Sequence, residues 1–140
     1  MFRKFNGEGL PLSTHAITVG RHHAWLLDDR IIYLRLGSAD PHFDGRITQR
    51  DAIDASTMGK HLLPDGPFYS IVDMRSVIYS DAQSRRVLPP LEQKAVGLLI
   101  ANPLGRMLAR AYLGVSTPPI PMRIFRAEAD ALTWLKALGG

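Results

Sequence analysis

Hydrophobic and polar positions follow strand-like spacing over the first third of the chain. Three short segments there are candidate strands: residues 14–19, 22–27 and 30–36. The second and third segments flank a polar corner at Asp28 and Asp29, a pattern that predicts a β-hairpin. Residues 1–13 show little periodicity, and we expect a loose N-terminal arm there.

Helical spacing then begins to alternate with further short apolar runs. Thr48, with Asp51 three residues on, predicts the start of a helix by a capping box. Ser80, with Gln83 three residues on, predicts the N-cap of a second helix. Strands are predicted at 68–74, 95–101 and 120–125, and two more helices at residues 102–114 and from residue 127.

Prolines set several of these boundaries. Pro89 and Pro90 interrupt the second helix, because proline lacks the N–H group and clashes with the preceding turn. Asn102 and Pro103 predict a helix start, and Pro121 places the last strand at an edge of the sheet. We expect the helix after Asn102 to bury its apolar side, which comprises Leu104, Met107, Leu108, Ala111 and Tyr112.

Alternating helices and strands are typical of the α/β class with at least a partly parallel sheet. Residues 14–140 are therefore predicted to form a single domain, a length that one hydrophobic core accommodates.

The composition excludes several classes of protein. The 140 residues are 46% hydrophobic and 21% charged and include no cysteine, so disulfides, thiol nucleophiles and thiolate zinc sites are ruled out. The longest apolar run, residues 95–101, is too short to cross a bilayer. The N-terminus has no hydrophobic signal region. We expect a soluble cytoplasmic protein.

The net charge of +4 is concentrated in the second half of the chain. Such a basic face attracts phosphates or acidic partners. A candidate anion site comprises Asn102, Arg106, Arg110 and Arg123. Because aromatic residues are not interleaved with the basic ones, nucleic-acid binding is not expected.

No catalytic or metal-binding constellation can be assembled from the sequence. His22 and His23 are neighbours on a strand, so they point to opposite faces, and titrating surface positions account for them best. Asp51 and Asp54 share one helical face, where an exposed, solvated pair is expected. We predict no catalytic residue, no metal and no cofactor.

Residues 71–88 resemble the central motif of STAS domains, the bacterial anti-sigma-factor antagonists. In that motif a strand ends in Asp, a hydrophobic turn follows, and an Asp opens a helix. Asp73 matches the strand-end Asp, Val77 and Tyr79 match the turn, and Asp81 matches the helix start. Residues 101–121 and 124–135 are similar to the ending of uncharacterised bacterial STAS-like proteins.

The resemblance implies a STAS-like (SpoIIAA-like) α/β sandwich, a mixed sheet with helices packed on it, acting as a non-catalytic regulatory or protein-interaction domain. It places a partner surface at Asp73, Arg75, Ser80, Asp81, Ser84 and Arg85. The alternative is a carrier of a small anionic or lipid ligand. Edge strands leave a homodimer open.

One position departs from the family pattern. Where phosphorylated antagonists carry a serine in the first turn of the helix, this chain has Gln83, preceded by Ala82. We therefore predict that the protein is not phosphorylated in this region.

Overall fold

A computed structural model describes residues 16–103, 105–107, 109 and 119–140, and the predicted arm at residues 1–13 lies outside them. The first strands are β1 (Ile17–Val19), β2 (His22–Asp28), β3 (Ile31–Arg35) and β4 (Arg46–Ile47). After α1 (Gln49–Leu62) come β5 (Phe68–Asp73), β6 (Tyr79–Ser80) and α2 (Ala82–Arg85). The remaining elements are β7 (Gln93–Leu99), β8 (Met122–Phe125) and α3 (Glu128–Ala137).

The main sheet of the described residues is mixed and has six strands, in the order β1-β2-β3-β5-β7-β8. The β1–β2 and β2–β3 pairs are antiparallel, which confirms the predicted hairpin, and β3, β5, β7 and β8 are parallel. The sheet ends at β8, so the edge position that Pro121 predicts is confirmed. The α/β class with a partly parallel sheet is thus observed.

Helices cover both faces of this sheet. Along β3, Ile31 and Tyr33 belong to a core shared with α3, while Ile32 and Leu34 belong to a core shared with α1. All four side chains are buried, as expected when both faces of a parallel region are covered. In the core shared with α1, that helix contributes Ala55, Met58 and Leu62. In the core shared with α3, that helix contributes Ala131, Leu132, Trp134 and Leu135.

The capping box predicted for α1 is confirmed. The Thr48 side chain accepts from the Asp51 amide, and the Asp51 carboxylate accepts from the Thr48 amide. These two bonds satisfy donors that the first turn of a helix leaves without partners.

The second helix differs from the prediction. Ser80 is not its N-cap but pairs with Ile47 in a small parallel sheet of β4 and β6. Asp81 takes the cap instead, because its carboxylate accepts from the amide of Ser84 at 2.7 Å. The helix ends after four residues, well before Pro89.

The helix predicted after Asn102 is only partly described. Residues 103, 105–107 and 109 are helical. Met107, expected on the buried side, is exposed. The other residues expected on that side, Leu104, Leu108, Ala111 and Tyr112, lie outside the described residues.

Candidate functional site

A buried carboxylate marks the carboxyl end of β5. Asp73 is 5% exposed and accepts a hydrogen bond from the Tyr33 hydroxyl at 2.7 Å. Arg75 binds it with both ends of its fork, Nε to Oδ1 at 2.9 Å and Nη2 to Oδ2 at 2.7 Å. Arg35 approaches the same Oδ2 at 3.6 Å. The side chains of Tyr33, Arg35 and Arg75 therefore converge on one carboxylate.

These contacts fix the protonation states of the cluster. Burial alone raises the pKa of Asp73, but hydrogen bonds from Arg75 and Tyr33 outweigh burial and lower it. Burial, together with the bond to Asp73, raises the pKa of Tyr33. The bond to Asp73 raises the pKa of Arg75. The carboxylate is ionised at neutral pH, and the phenol keeps its proton.

Aromatic rings pack against the side chains of this cluster. Trp25 on β2 stacks on Tyr33 with ring centroids 4.6 Å apart, and the Arg35 guanidinium lies 5.2 Å from the Trp25 ring centroid. Tyr33, Trp25 and Arg35 are the members that the sequence did not single out. They sit in an ordinary β-branched and aromatic run, and only the pairing of β2, β3 and β5 brings them to Asp73.

The other predicted partner-surface residues surround α2. Ser84 is buried, and its hydroxyl donates to the Asp81 carbonyl at 2.8 Å. Arg85 is exposed and donates to the carbonyl of Ser80. Thus Arg75 and Arg85 present charge outward, whereas Asp73 and Ser84 face inward.

Large apolar side chains are exposed on both sides of α2. The exposed fraction is 79% for Ile78, 57% for Tyr79, 75% for Leu88 and 92% for Leu91. We call these four residues the apolar stripe. Sequence analysis matched Tyr79 to the STAS turn but did not recognise the stripe, because an apolar residue in a connection gives no periodic signal.

Two members of the stripe, Ile78 and Leu88, have neighbours near different ends of α1. Ile78 packs on Gly45, just before β4, because a Cβ at Gly45 would lie 2.6 Å from its Cγ1. Leu88 lines an open groove of about 400 Å³ with residues of the last two turns of α1: Ser56, Thr57, Lys60 and His61. Pro90 completes its lining.

The predicted anion-site residues do not all come together. Arg106 donates to the carbonyl of Ala101 at 2.6 Å, two residues after the end of β7. Arg123 lies on β8, with its guanidinium 5.6 Å from the Phe125 ring centroid. Asn102 is exposed, and Arg110 lies outside the described residues.

A second polar cluster ties the β1–β2 turn to α1. Asp51 is 3% exposed and accepts from Arg21 through Nε at 3.0 Å and Nη2 at 2.6 Å. His22 is fully buried, and its Nε2 lies 3.1 Å from Asp51 Oδ1. The Gly37 amide donates to His22 Nδ1, so the ring is the neutral Nε2–H tautomer, which donates to Asp51.

This cluster corrects two expectations. Asp51 and Asp54 are both buried rather than an exposed pair, since Arg21 and Arg50 neutralise them. His22 is not a titrating surface residue, because burial lowers its pKa. His23 does point to the other face of the strand, where it contacts Ser38.

Two absences hold for the described part of the chain. It brings together no group of three or more His, Asp or Glu side chains able to hold a metal ion. Its helices are all too short or too polar to cross a membrane.

The fold and its polar clusters thus define an α/β domain with a mixed sheet between helices. Residues 41–138 match the family model described as Domain of unknown function (DUF7793), and the chain belongs to that family. The match includes Asp73, Arg75 and the apolar stripe and begins after β3. No curated protein and no solved structure matches the chain.

Proposed function

We propose that the protein is a non-catalytic regulatory domain of the STAS-like, SpoIIAA-like kind, which acts by binding another protein. The observation that carries the proposal is the apolar stripe beside α2. Single exposed apolar residues are ordinary, but contiguous exposed apolar surface marks interaction sites. Four large apolar side chains, close together in the sequence at residues 78–91, are each more than half exposed.

Charge around the stripe indicates the chemistry of the partner. Arg85, Arg86 and Lys94 are exposed there, and Lys60 faces the same groove as Leu88. The nearby Asp81 carboxylate is engaged in capping α2. A partner surface with apolar side chains flanked by carboxylates complements this arrangement, since complementary charge speeds encounter and fixes orientation.

The proposal is tested by partner capture from the host, followed by reconstitution with the purified partner. Leu88→Ser with Leu91→Ser removes apolar area, and Arg85→Glu with Arg86→Glu reverses the rim charge. Both pairs are exposed, so stability should change by only about 0.5 kcal/mol per site. Leu138→Ser, at the end of α3, is the matched control because Leu138 is also exposed.

We expect both double variants to lose the partner and the Leu138 control to retain it. Binding should also weaken as salt rises, because the rim contributes through charge. Retention of the partner by the Leu88 and Leu91 variant would refute the proposed surface. The proposed partner surface would also be refuted if sedimentation showed a dimer of the unaltered chain and a monomer of this variant. The stripe would then pack against a second copy of the chain.

The carrier alternative has less support at its predicted residues, because Arg106 and Arg123 make separate contacts within the chain.

A further inference from the structure

Two guanidinium groups meet at the carboxyl ends of β3 and β5. Arg35 and Arg75 both approach Oδ2 of Asp73, at 3.6 and 2.7 Å, so their charged ends are neighbours. Their side chains are 26% and 44% exposed, whereas that of Asp73 is 6% exposed. Solvent at this place therefore meets the two cations rather than the carboxylate.

Arg75 is held rigidly in this position. Asp73 takes its Nε and Nη2, and the Tyr33 hydroxyl accepts from Nη2 at 3.1 Å. No residue of the described chain accepts a hydrogen bond from its Nη1. Arg35 is steadied from the other side, because its guanidinium lies over the Trp25 and Tyr33 rings. Preorganised groups lose little conformational entropy on binding a ligand.

The carboxyl ends of the four parallel strands form one aligned edge. Backbone bonds continue the ladder past the strands, from the Leu36 amide to the Asp73 carbonyl, from Met74 to Leu99 and from Ile100 to Phe125. Ligands of α/β sheets bind preferentially outside such ends.

More positive charge lies along the same edge. Arg106 donates to the carbonyls of Ile100 and Ala101, and the exposed Arg126 follows β8 directly. Residues 74–78 and 100–103 contain no acidic side chain. Asp40 and Asp44 follow β3, and Asp40 pairs with Arg21 in the cluster at α1. Glu128 begins α3.

We infer that Arg35 and Arg75 form a binding site for the phosphate group of a small phosphorylated ligand. Guanidinium groups make strong charge-assisted hydrogen bonds to phosphate oxygens, and Arg75 can donate one through Nη1 while Asp73 and Tyr33 hold its other two nitrogens. A free phosphate ester and a lipid headgroup share this chemistry. The site differs from the apolar stripe and does not depend on the proposed protein partner.

The test is a titration of the folded chain with inorganic phosphate at constant ionic strength, with the backbone amide NMR shifts as the readout. We expect saturable shifts at residues 35–36 and 75–76, with a dissociation constant of about 1 mM for so small a probe. Glycerol phosphate and vesicles containing phosphatidic acid then distinguish a soluble ester from a lipid headgroup. Acetate at equal ionic strength separates phosphate recognition from general anion attraction.

Three variants assign the shifts to the arginine pair. Arg75→Lys keeps a positive charge beside Asp73 but removes the Nη1 donor, and Arg35→Gln removes the second cation. Each should weaken phosphate binding about tenfold, the loss expected for a charge-assisted contact. Arg50→Gln is the matched control, because Arg50 is an exposed arginine of α1 paired with Asp54.

The inference is overturned if phosphate causes no saturable shift, or if acetate shifts the same amides equally. It also fails if the shifts map to Lys60 and His61 in the groove, or if the Arg50 variant loses as much affinity as the Arg75 variant. If Arg75→Lys does not fold, the inference is still tested by the residues whose amides shift in the unaltered chain and by the phosphate affinity of the Arg35→Gln variant.

Discussion

Removing the Asp51 carboxylate should destabilise the protein strongly, because this side chain accepts bonds from two separate parts of the chain. Asp51 accepts five hydrogen bonds: two from Thr48, two from Arg21 and one from His22. It thus joins the start of α1 to the turn between β1 and β2. Asp51→Ala leaves Arg21 without its ion partner and the His22 Nε2–H without an acceptor.

The magnitude follows from these contacts. Leaving one partner of a buried ion pair alone costs about 3–5 kcal/mol. The Arg21 side chain is 31% exposed, so solvent recovers part of this cost and the low end applies. Loss of the capping contact adds about 1 kcal/mol. We expect Asp51→Ala to lower the free energy of unfolding by about 3–4 kcal/mol.

Urea denaturation at pH 7, monitored by circular dichroism, measures this loss. The urea concentration at the midpoint should fall, while the dependence of the unfolding free energy on urea should stay the same. Asp54→Asn is the control, because Asp54 is buried on the same helix but, among the described residues, forms an ion pair with the exposed Arg50 alone, a contact worth about 0–1 kcal/mol. A loss below about 1 kcal/mol for Asp51→Ala, or equal losses for both variants, would refute this reasoning.

Three further predictions concern other polar contacts. Burial lowers the pKa of His22 from 6.5, so the unfolded chain binds more protons than the folded one below that pH. The free energy of unfolding should therefore fall as the pH drops below about 6.5. His22→Gln should make this loss smaller in urea melts taken from pH 7 to 5. Tyr33→Phe removes a donor to the buried Asp73 and should cost about 1–3 kcal/mol in the same assay; no change would show that Arg75 alone suffices. Asp81→Ala should cost about 1 kcal/mol, and near-complete retention of amide protection in α2 would contradict its capping role.

The local elements were the predictable part of this molecule. The hairpin of β2 and β3, the capping box of Thr48 and Asp51, and the edge position of β8 all follow from residues within a few positions of one another. Capping and turn chemistry act over that same short range, so the sequence carries their signal directly.

Errors arose where distant segments compete for the same residue. Ser80 is a good N-cap by type, yet pairing with Ile47 places it in β6 and moves the cap to Asp81. The β4–β6 sheet joins dipeptides more than thirty residues apart, and two residues are too few to show a period.

The candidate sites divide in the same way. Asp73 and Arg75 were selected from the strand-end motif, but Arg35 and Tyr33 reach them only because β3 pairs with β5. The apolar stripe was not recognised as a surface, because exposure of Leu88 and Leu91 depends on how the connection lies beside α1.

By itself, the sequence determined the α/β class, the order of most elements and the charge of the second half of the chain. These depend on periodicity, capping and composition, which act locally or sum over the chain. Only the tertiary structure decided that His22 and Asp51 are buried together and that Arg35 and Arg75 share one carboxylate. Burial and ion pairing depend on which side chains meet across strands and helices, and that is fixed by packing of the whole domain.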